Sequence, residues 1–255
     1  MNVLVCIKRV PATGGRIMLT ADGTDIDTRF LGFTVSPHEE CAVEEAVRLT
    51  EADGGTSTVL TLGPEAAVEQ LRDALALGID RAVMLETDGR EWDAVATAGA
   101  IVDAVRAEGA RGVEYDLLLF GNEAADTGDY QVGIRVAHAL GLPCVSGAKS
   151  LEIGNGIAVV GREAAGGREI FEVSLPAVVT VKEGINLPRY PSIPGRLKAK
   201  RAPIEHVRPS WPGNSLLKVR LTLPAEEEKK VEILGHGAEA APAVVRVLEE
   251  LGLVP

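Results

Sequence analysis

Residues 116–141 read DLLLFGNEAADTGDYQVGIRVAHALG, and the order of residue types in this stretch decides the fold class. Asp116–Phe120 is continuously apolar after its first residue or two, as strands buried on both faces of a parallel sheet are. Gly121 ends the run, a polar loop follows, and apolar spacing predicts a helix from about Tyr130 to Leu140. The same strand-then-helix unit recurs upstream. Asn2–Ile7, Ser57–Leu62 and Ala82–Leu85 read as strands, each followed by a helical pattern. The helix after the first strand opens at Ser36-Pro37-His38-Glu39, where Ser36 can cap, Pro37 suits the first helical position and Glu39 completes a capping box. Four such units predict an α/β fold with a doubly wound, mostly parallel sheet.

After residue 145 the rhythm changes. Short strand-like runs at 150–153, 157–162, 169–174 and 177–181 are separated by Gly154-Asn155-Gly156 and Gly166-Gly167, which predicts β-hairpins. Residues 184–213 carry six prolines, a density expected to forbid a regular helix or a central strand. Residues 225–230 are charged, and Ala240–Leu251 reads as a last helix. We therefore expect an α/β domain over 1–183 and a C-terminal arm over 184–255.

Composition narrows the function. Aromatic residues are 4% of the 255, too few to build stacking platforms for single-stranded nucleic acid, and a net charge of −11 repels phosphate backbones. Nucleic-acid binding is not expected. No segment reaches the roughly 18 apolar residues of a membrane span, and the N-terminus reads as a strand rather than a signal peptide. Cys6, Cys41 and Cys144 are widely spaced without a CxxC pair, so the cytoplasm is the expected compartment.

Motifs of catalysis fail one by one. His38-Glu39 lacks a second histidine four residues on, Ala148 breaks the resemblance of Gly147–Ser150 to a phosphate loop, and no GxSxG elbow exists. We expect neither a catalytic residue nor a metal. Three strand ends instead suggest a nucleotide site, because helix N-termini at the carboxyl ends of parallel strands present free N–H groups to anions. They are Cys6, Leu62 with Gly63-Pro64, and the loop Gly121–Val132. An ordinary polar loop before a capped helix is the competing reading, and the residues alone leave the two open.

The chain resembles the electron-transferring flavoprotein beta subunits from Val3 to about Ile204, with a looser likeness in the last helix. The resemblance is carried by Val5-Cys6-Ile7-Lys8-Arg9-Val10-Pro11, by Ser36–Ala46, by Ala76–Ala82, by Gly121–Gly133 and by Leu175–Val181. Its most specific part is Asn186-Leu187-Pro188-Arg189-Tyr190-Pro191-Ser192-Ile193-Pro194-Gly195-Arg196-Leu197-Lys198-Ala199-Lys200. The resemblance implies an adenine-nucleotide-binding, HUP-like scaffold that pairs with an alpha subunit holding most of a redox-active FAD. The heterodimer would take electrons from acyl-CoA or other flavin dehydrogenases and pass them to a quinone oxidoreductase or another acceptor.

Carried over by position, a structural AMP would be held by Cys6, Ser36, Pro37, His38, Glu39, Leu62, Gly121, Asn122, Glu123, Ala124, Asp126, Thr127, Gly128, Asp129, Tyr130, Gln131 and Val132. Docking on dehydrogenases would use Ile193 between Pro191 and Pro194, with Arg196 and Lys198 in a basic cluster beside it. Glu163 matches a glutamate that positions the partner's mobile flavin domain. Two departures bear on the ligand: Thr127-Gly128 replaces the consecutive aspartates of many AMP-binding members, and Gln131-Val132-Gly133 is closer to members with a second FAD. Those members bifurcate electrons. AMP is the leading expectation, and a second FAD in its place is the alternative.

Overall fold

The computed structural model of the chain describes residues 1–12, 14, 16–224 and 231–254; Gly15 and the charged run 225–230 lie outside the described residues. Packing divides the chain into two units, Met1–Arg220 and Leu221–Pro255. The first takes in residues 184–220 of the expected arm.

In chain order the first unit contains β1 (Asn2–Ile7), β2 (Val10–Pro11), β3 (Phe33–Thr34), α1 (Pro37–Asp53), β4 (Thr56–Gly63), α2 (Val68–Leu77), β5 (Arg81–Glu86) and α3 (Ala94–Ala110). It continues with β6 (Leu117–Gly121), α4 (Val132–Leu140), β7 (Cys144–Gly154), β8 (Ile157–Ala164), β9 (Gly167–Ser174), β10 (Ala177–Val181), α5 (Ile193–Arg201) and β11 (Glu205–Val207). The second unit contains α6 (Ala241–Glu250), behind a 3₁₀ turn at Gly237–Ala240.

One nine-stranded sheet runs β11-β5-β4-β1-β6-β10-β7-β8-β9. The strands from β11 to β7 are parallel, and β7–β8 and β8–β9 are antiparallel. This is the expected doubly wound α/β architecture with a hairpin region, with one correction. Residues 177–181, expected with the hairpins, form the parallel strand β10 between β6 and β7, where their nearly continuous apolar run is buried on both faces. From β1 the chain steps outward through β4 to β5, and α3 then carries it back to β6 on the other side of β1. That reversal makes the carboxyl ends of β1 and β6 the switch point, where such sheets open a crevice.

The alternation of side chains along β1 explains the two layers of helices. Val3, Val5 and Ile7 join Ala42, Ala46 and Leu71 of α1 and α2 in one core. Leu4 and Cys6 join Ile101, Val102, Val136 and Ala137 of α3 and α4 in the other. Leu4 and Leu118 are almost wholly buried, and truncating such a leucine costs about 2–5 kcal/mol.

The helix α1 starts as the sequence predicts. The Glu39 N–H donates to Ser36 Oγ at 3.4 Å, and the Ser36 N–H donates back to Glu39 Oε2 at 3.3 Å. Between β7 and β8, Asn155 and Gly156 have φ of 51° and 75°, the left-handed pair that a tight two-residue hairpin needs.

The proline-rich segment overturns one expectation. Residues 193–201 do form a helix, α5, and 205–207 add β11 to the sheet edge beside β5. Pro194 falls in the first turn, where an N–H has no intrahelical partner to lose. Ser192 caps that turn, its Oγ accepting from the Gly195 N–H at 3.1 Å.

Candidate nucleotide site and docking segment

Two of the predicted positions, Gly121 and Cys6, lie at the switch point, and Leu62 lies on the neighbouring strand β4. Gly121 closes β6 against the start of α1. A Cβ added there would lie 2.5 Å from Glu39 Cγ and 3.2 Å from the Glu39 nitrogen, so the approach of β6 to α1 depends on glycine. Cys6, next to last in β1, is buried. Burial, with Glu39 nearby, pushes its thiol well above the ordinary range, so it is no nucleophile. Leu62 holds the equivalent place in β4, followed by Gly63 and Pro64.

The loop after Gly121 is tied down on every side by the side chains that the sequence singles out as ligand contacts. The Asn122 N–H donates to Val181 O at 2.9 Å, while Asn122 Oδ1 accepts from Thr180 Oγ1 at 2.9 Å and that hydroxyl accepts from the Gly147 N–H at 3.0 Å. The Glu123 carbonyl accepts from Ser36 Oγ at 3.3 Å, and its carboxylate meets His38 Nε2 at 3.1 Å. His38 Nδ1 accepts from the Glu183 N–H at 2.7 Å. That bond leaves the proton of a neutral ring on Nε2, aimed at Glu123. Lys8 Nζ lies 2.7 Å from the Asp126 carboxylate. Lys8 and Glu183 are anchors that sequence reasoning missed; Lys8 adjoins the end of the first strand, the one signal that could have found it.

The far end of the loop differs. Gly128 and Tyr130 take φ of 58° and 56°, and Tyr130 is one of only two non-glycine residues there among those described. A left-handed tyrosine stores roughly 1–2 kcal/mol, which the surrounding ties must hold. Its phenol pKa is raised by a hydrogen bond to Glu123. The first turn of α4 follows at once. Side chains close the starts of α1 and α3, from Ser36 and from Asp93, whose Oδ1 accepts from the Ala96 N–H at 2.8 Å. No side chain closes α4; the Gln131 carboxamide is turned to Arg135, at 2.8–3.0 Å. Gly133 lets this turn sit down on the sheet, since a Cβ there would lie 2.9 Å from Thr180 Cγ2 and 3.1 Å from the Phe120 ring. An unclosed helix start behind a glycine-lined loop, at the switch point of a parallel sheet, is built to receive an anion through backbone N–H groups. Ala124, Thr127 and Asp129 belong to the same loop, and Val132 is the first residue of α4.

Electrostatics add one buried acid. Burial drives the Glu39 carboxyl up to about 8, against the opposing pull of hydrogen bonds from the Lys8 and Ser36 backbone and of the Lys8 charge. Among the described residues, no group of three or more His, Cys, Asp or Glu is placed to hold a metal, and no helix is long and apolar enough to cross a membrane.

The expected docking residues lie elsewhere, around α5. Ile193 is 78% exposed, Pro194, Arg196 and Lys198 are exposed, and Pro191 is half-buried. Beside them Leu187 is 91% and Tyr190 95% exposed. Sequence reasoning passed over both, although an apolar residue next to each of two prolines was a visible signal. Among the described residues, no carboxylate lies within ion-pair distance of Arg196, Lys198, Lys200 or Arg201. Glu163, exposed on β8, stands opposite Arg168 of β9.

Comparison with known proteins shows the family. Residues 26–210 match the electron transfer flavoprotein domain. The chain is 34% identical to the electron transfer flavoprotein subunit beta of Bacillus subtilis, over 97% of both chains. It is 35% identical to the protein of that name from Syntrophomonas wolfei, over 91% of this chain and 90% of the relative. With the Mycobacterium tuberculosis subunit beta it shares 38% identity, over 78% and 76% of the two chains.

Proposed function

The chain belongs to the electron transfer flavoprotein family, as a subunit beta, and on that premise we propose that it is the non-catalytic half of a heterodimeric electron carrier, holding AMP at the carboxyl edge of its sheet. The single observation that carries the AMP site is the unclosed first turn of α4 behind a loop fixed by Ser36, His38, Asn122, Glu123 and Asp126. Backbone N–H groups of that turn bind the phosphate; Gly121 and Gly128 give the ligand close approach; Cys6 and Leu62 border the adenine through their strand ends. AMP has no redox chemistry, and its part is to complete the fold of this edge.

The alpha subunit holds the FAD that carries electrons, and Glu163 positions the partner's flavin domain. The second unit supports the pairing: no residue of α6 is buried, and Val244, Val245, Leu251 and Leu253 are exposed. This apolar surface lies against the alpha subunit. Ile193, with Leu187 and Tyr190, enters an apolar socket on a flavin dehydrogenase, and Arg196 and Lys198 face acidic residues at its rim. The acceptor is a quinone oxidoreductase or another oxidant, and the complex works in the cytoplasm.

The test is to denature the purified heterodimer and identify what it releases. One FAD and one AMP per pair is the expected result. Two FAD and no AMP would give the bifurcating reading, which the Gln131-Val132-Gly133 sequence favours; FAD alone, one per pair, would remove the ligand from this chain.

A further inference from the structure

The docking segment is bolted to the helices behind it, and the bolts alternate with the residues on display. Asn186 Nδ2 donates to Cys41 O at 2.9 Å and to Glu45 Oε2 at 2.8 Å. Gly195 lies so close to α2 that an added Cβ would stand 2.5 Å from Ala76 O. Arg72 Nη1 donates to Ala199 O at 2.5 Å, near the end of α5. Between these points Leu187, Tyr190, Ile193 and Leu197 (61% exposed) turn outward.

Arg189 is the strongest of the bolts. Its Nε donates to both oxygens of Glu44, at 2.9 and 3.2 Å, and its Nη2 to Glu44 Oε1 at 3.0 Å. Its own backbone N–H donates to Glu44 Oε2 at 3.1 Å. The outer edge of the guanidinium reaches Glu51, Nη1 to Oε1 at 2.7 Å and Nη2 to Oε2 at 2.9 Å. The Glu44 side chain is nearly buried, while that of Glu51 is exposed. Glu44 and Glu51 stand about two turns apart on one side of α1, so a planar fork can bridge them where an ammonium cannot.

We infer that Arg189, clamped between Glu44 and Glu51, is a positioning residue for electron delivery: it holds Leu187, Tyr190 and Ile193 in the arrangement that the dehydrogenase's apolar socket accepts. This rests on the docking reading given above. The physical reason is preorganisation. Large apolar side chains exposed on a free segment would have to be ordered during binding, whereas here the ordering is done in advance by an ion pair of which one carboxylate is buried. Arg189 itself need not touch the partner. Because Asn186, Gly195 and Arg72 also fasten the segment, its anchorage does not hang on Arg189 alone.

The experiment is a double-mutant cycle on the intact heterodimer, read as steady-state reduction by a flavin dehydrogenase that reduces the wild-type complex. Ile193→Ala and Arg189→Ala are each expected to raise the KM for the heterodimer about tenfold with kcat held, and the double variant by about ten- to twentyfold, well short of the hundredfold that independent effects give. Arg189→Lys, which keeps the charge and loses the fork, is expected to fall between wild type and Arg189→Ala; if Arg189→Ala does not fold, the cycle is run with Arg189→Lys. Additive effects would overturn the inference, as would an Arg189 variant with unchanged KM or with a lowered kcat at constant KM. An Ile193→Ala heterodimer reduced as well as wild type would instead defeat the docking reading itself, and that result is read without reference to Arg189.

Discussion

The loop 121–131 and the segment 186–201, whose second half is α5, are both fastened to the same α/β body by polar ties, yet the ties run in opposite senses. In the first, side chains of the loop are used up in holding it: Asn122, Glu123 and Asp126 face inward to Thr180, His38 and Lys8. What remains toward a ligand is backbone, in the left-handed turn at Gly128 and Tyr130 and the open N–H groups of α4. In the second, Asn186 and Arg189 are pinned to α1, and apolar side chains between the pins are left outside. Backbone recognition suits a phosphate, whose oxygens accept hydrogen bonds from any N–H. Side-chain recognition suits another protein, which must find a shape.

The comparison breaks most readily at Gly121. Gly121→Val forces a side chain into Glu39, and overpacking of this kind costs about 1–3 kcal/mol. The expected outcome is a heterodimer that releases no nucleotide on denaturation and melts earlier; full nucleotide content would show that the backbone approach is not what the ligand requires. Next comes Ile193→Ala, for which the KM for reduction by a dehydrogenase rises about tenfold while nucleotide content stays at wild type. If both properties change together, the two regions are not independent devices.

A smaller effect sharpens the picture of the buried acid. The folded-state value of about 8 for Glu39 lies above its ordinary 4.5, so the folded chain binds that proton more tightly than the unfolded one. Stability then falls as pH rises from about 4.5 to about 8 and is flat beyond. Glu39→Gln keeps the capping box and removes the charge, so it should flatten that stretch of the profile and stabilise the protein at pH 8.5 by about 1 kcal/mol or more. Urea unfolding at a series of pH values reads this directly. The smallest effect belongs to Asp126→Asn, which unmakes a partly exposed pair with Lys8 worth about 1 kcal/mol or less. Nucleotide affinity should weaken only a few-fold in equilibrium dialysis.

What the sequence could disclose follows the reach of its interactions. The βα rhythm, the capped start of α1 and the loop after β6 are local patterns, and the structure has them within a residue or two. Proline density alone hides the helix at residues 193–201, because Pro194 stands in the first turn, where a helix tolerates it. The ties of the candidate site were hidden for another reason. His38 and Glu123 are 85 residues apart, and Glu44 and Arg189 are 145 apart, distances over which no spacing rule operates. Residue types in a loop therefore named the region, and only the packing distinguished side chains that brace it from backbone left open to a ligand.

The place of β10 has a consequence for synthesis. It lies between β6 and β7 although it follows both in the chain. As the protein leaves the ribosome, β6 must wait with a bare edge while two hairpins are made, until Ala177–Val181 arrives to fill the slot. Asn122 and His38 receive their last supports from Thr180, Val181 and Glu183. The bracing of the 121–131 loop, begun at the first strand, is thus finished only when about seven-tenths of the polypeptide has emerged, and a nascent chain cut short before Ala177 has a half-made sheet and a loop without these ties.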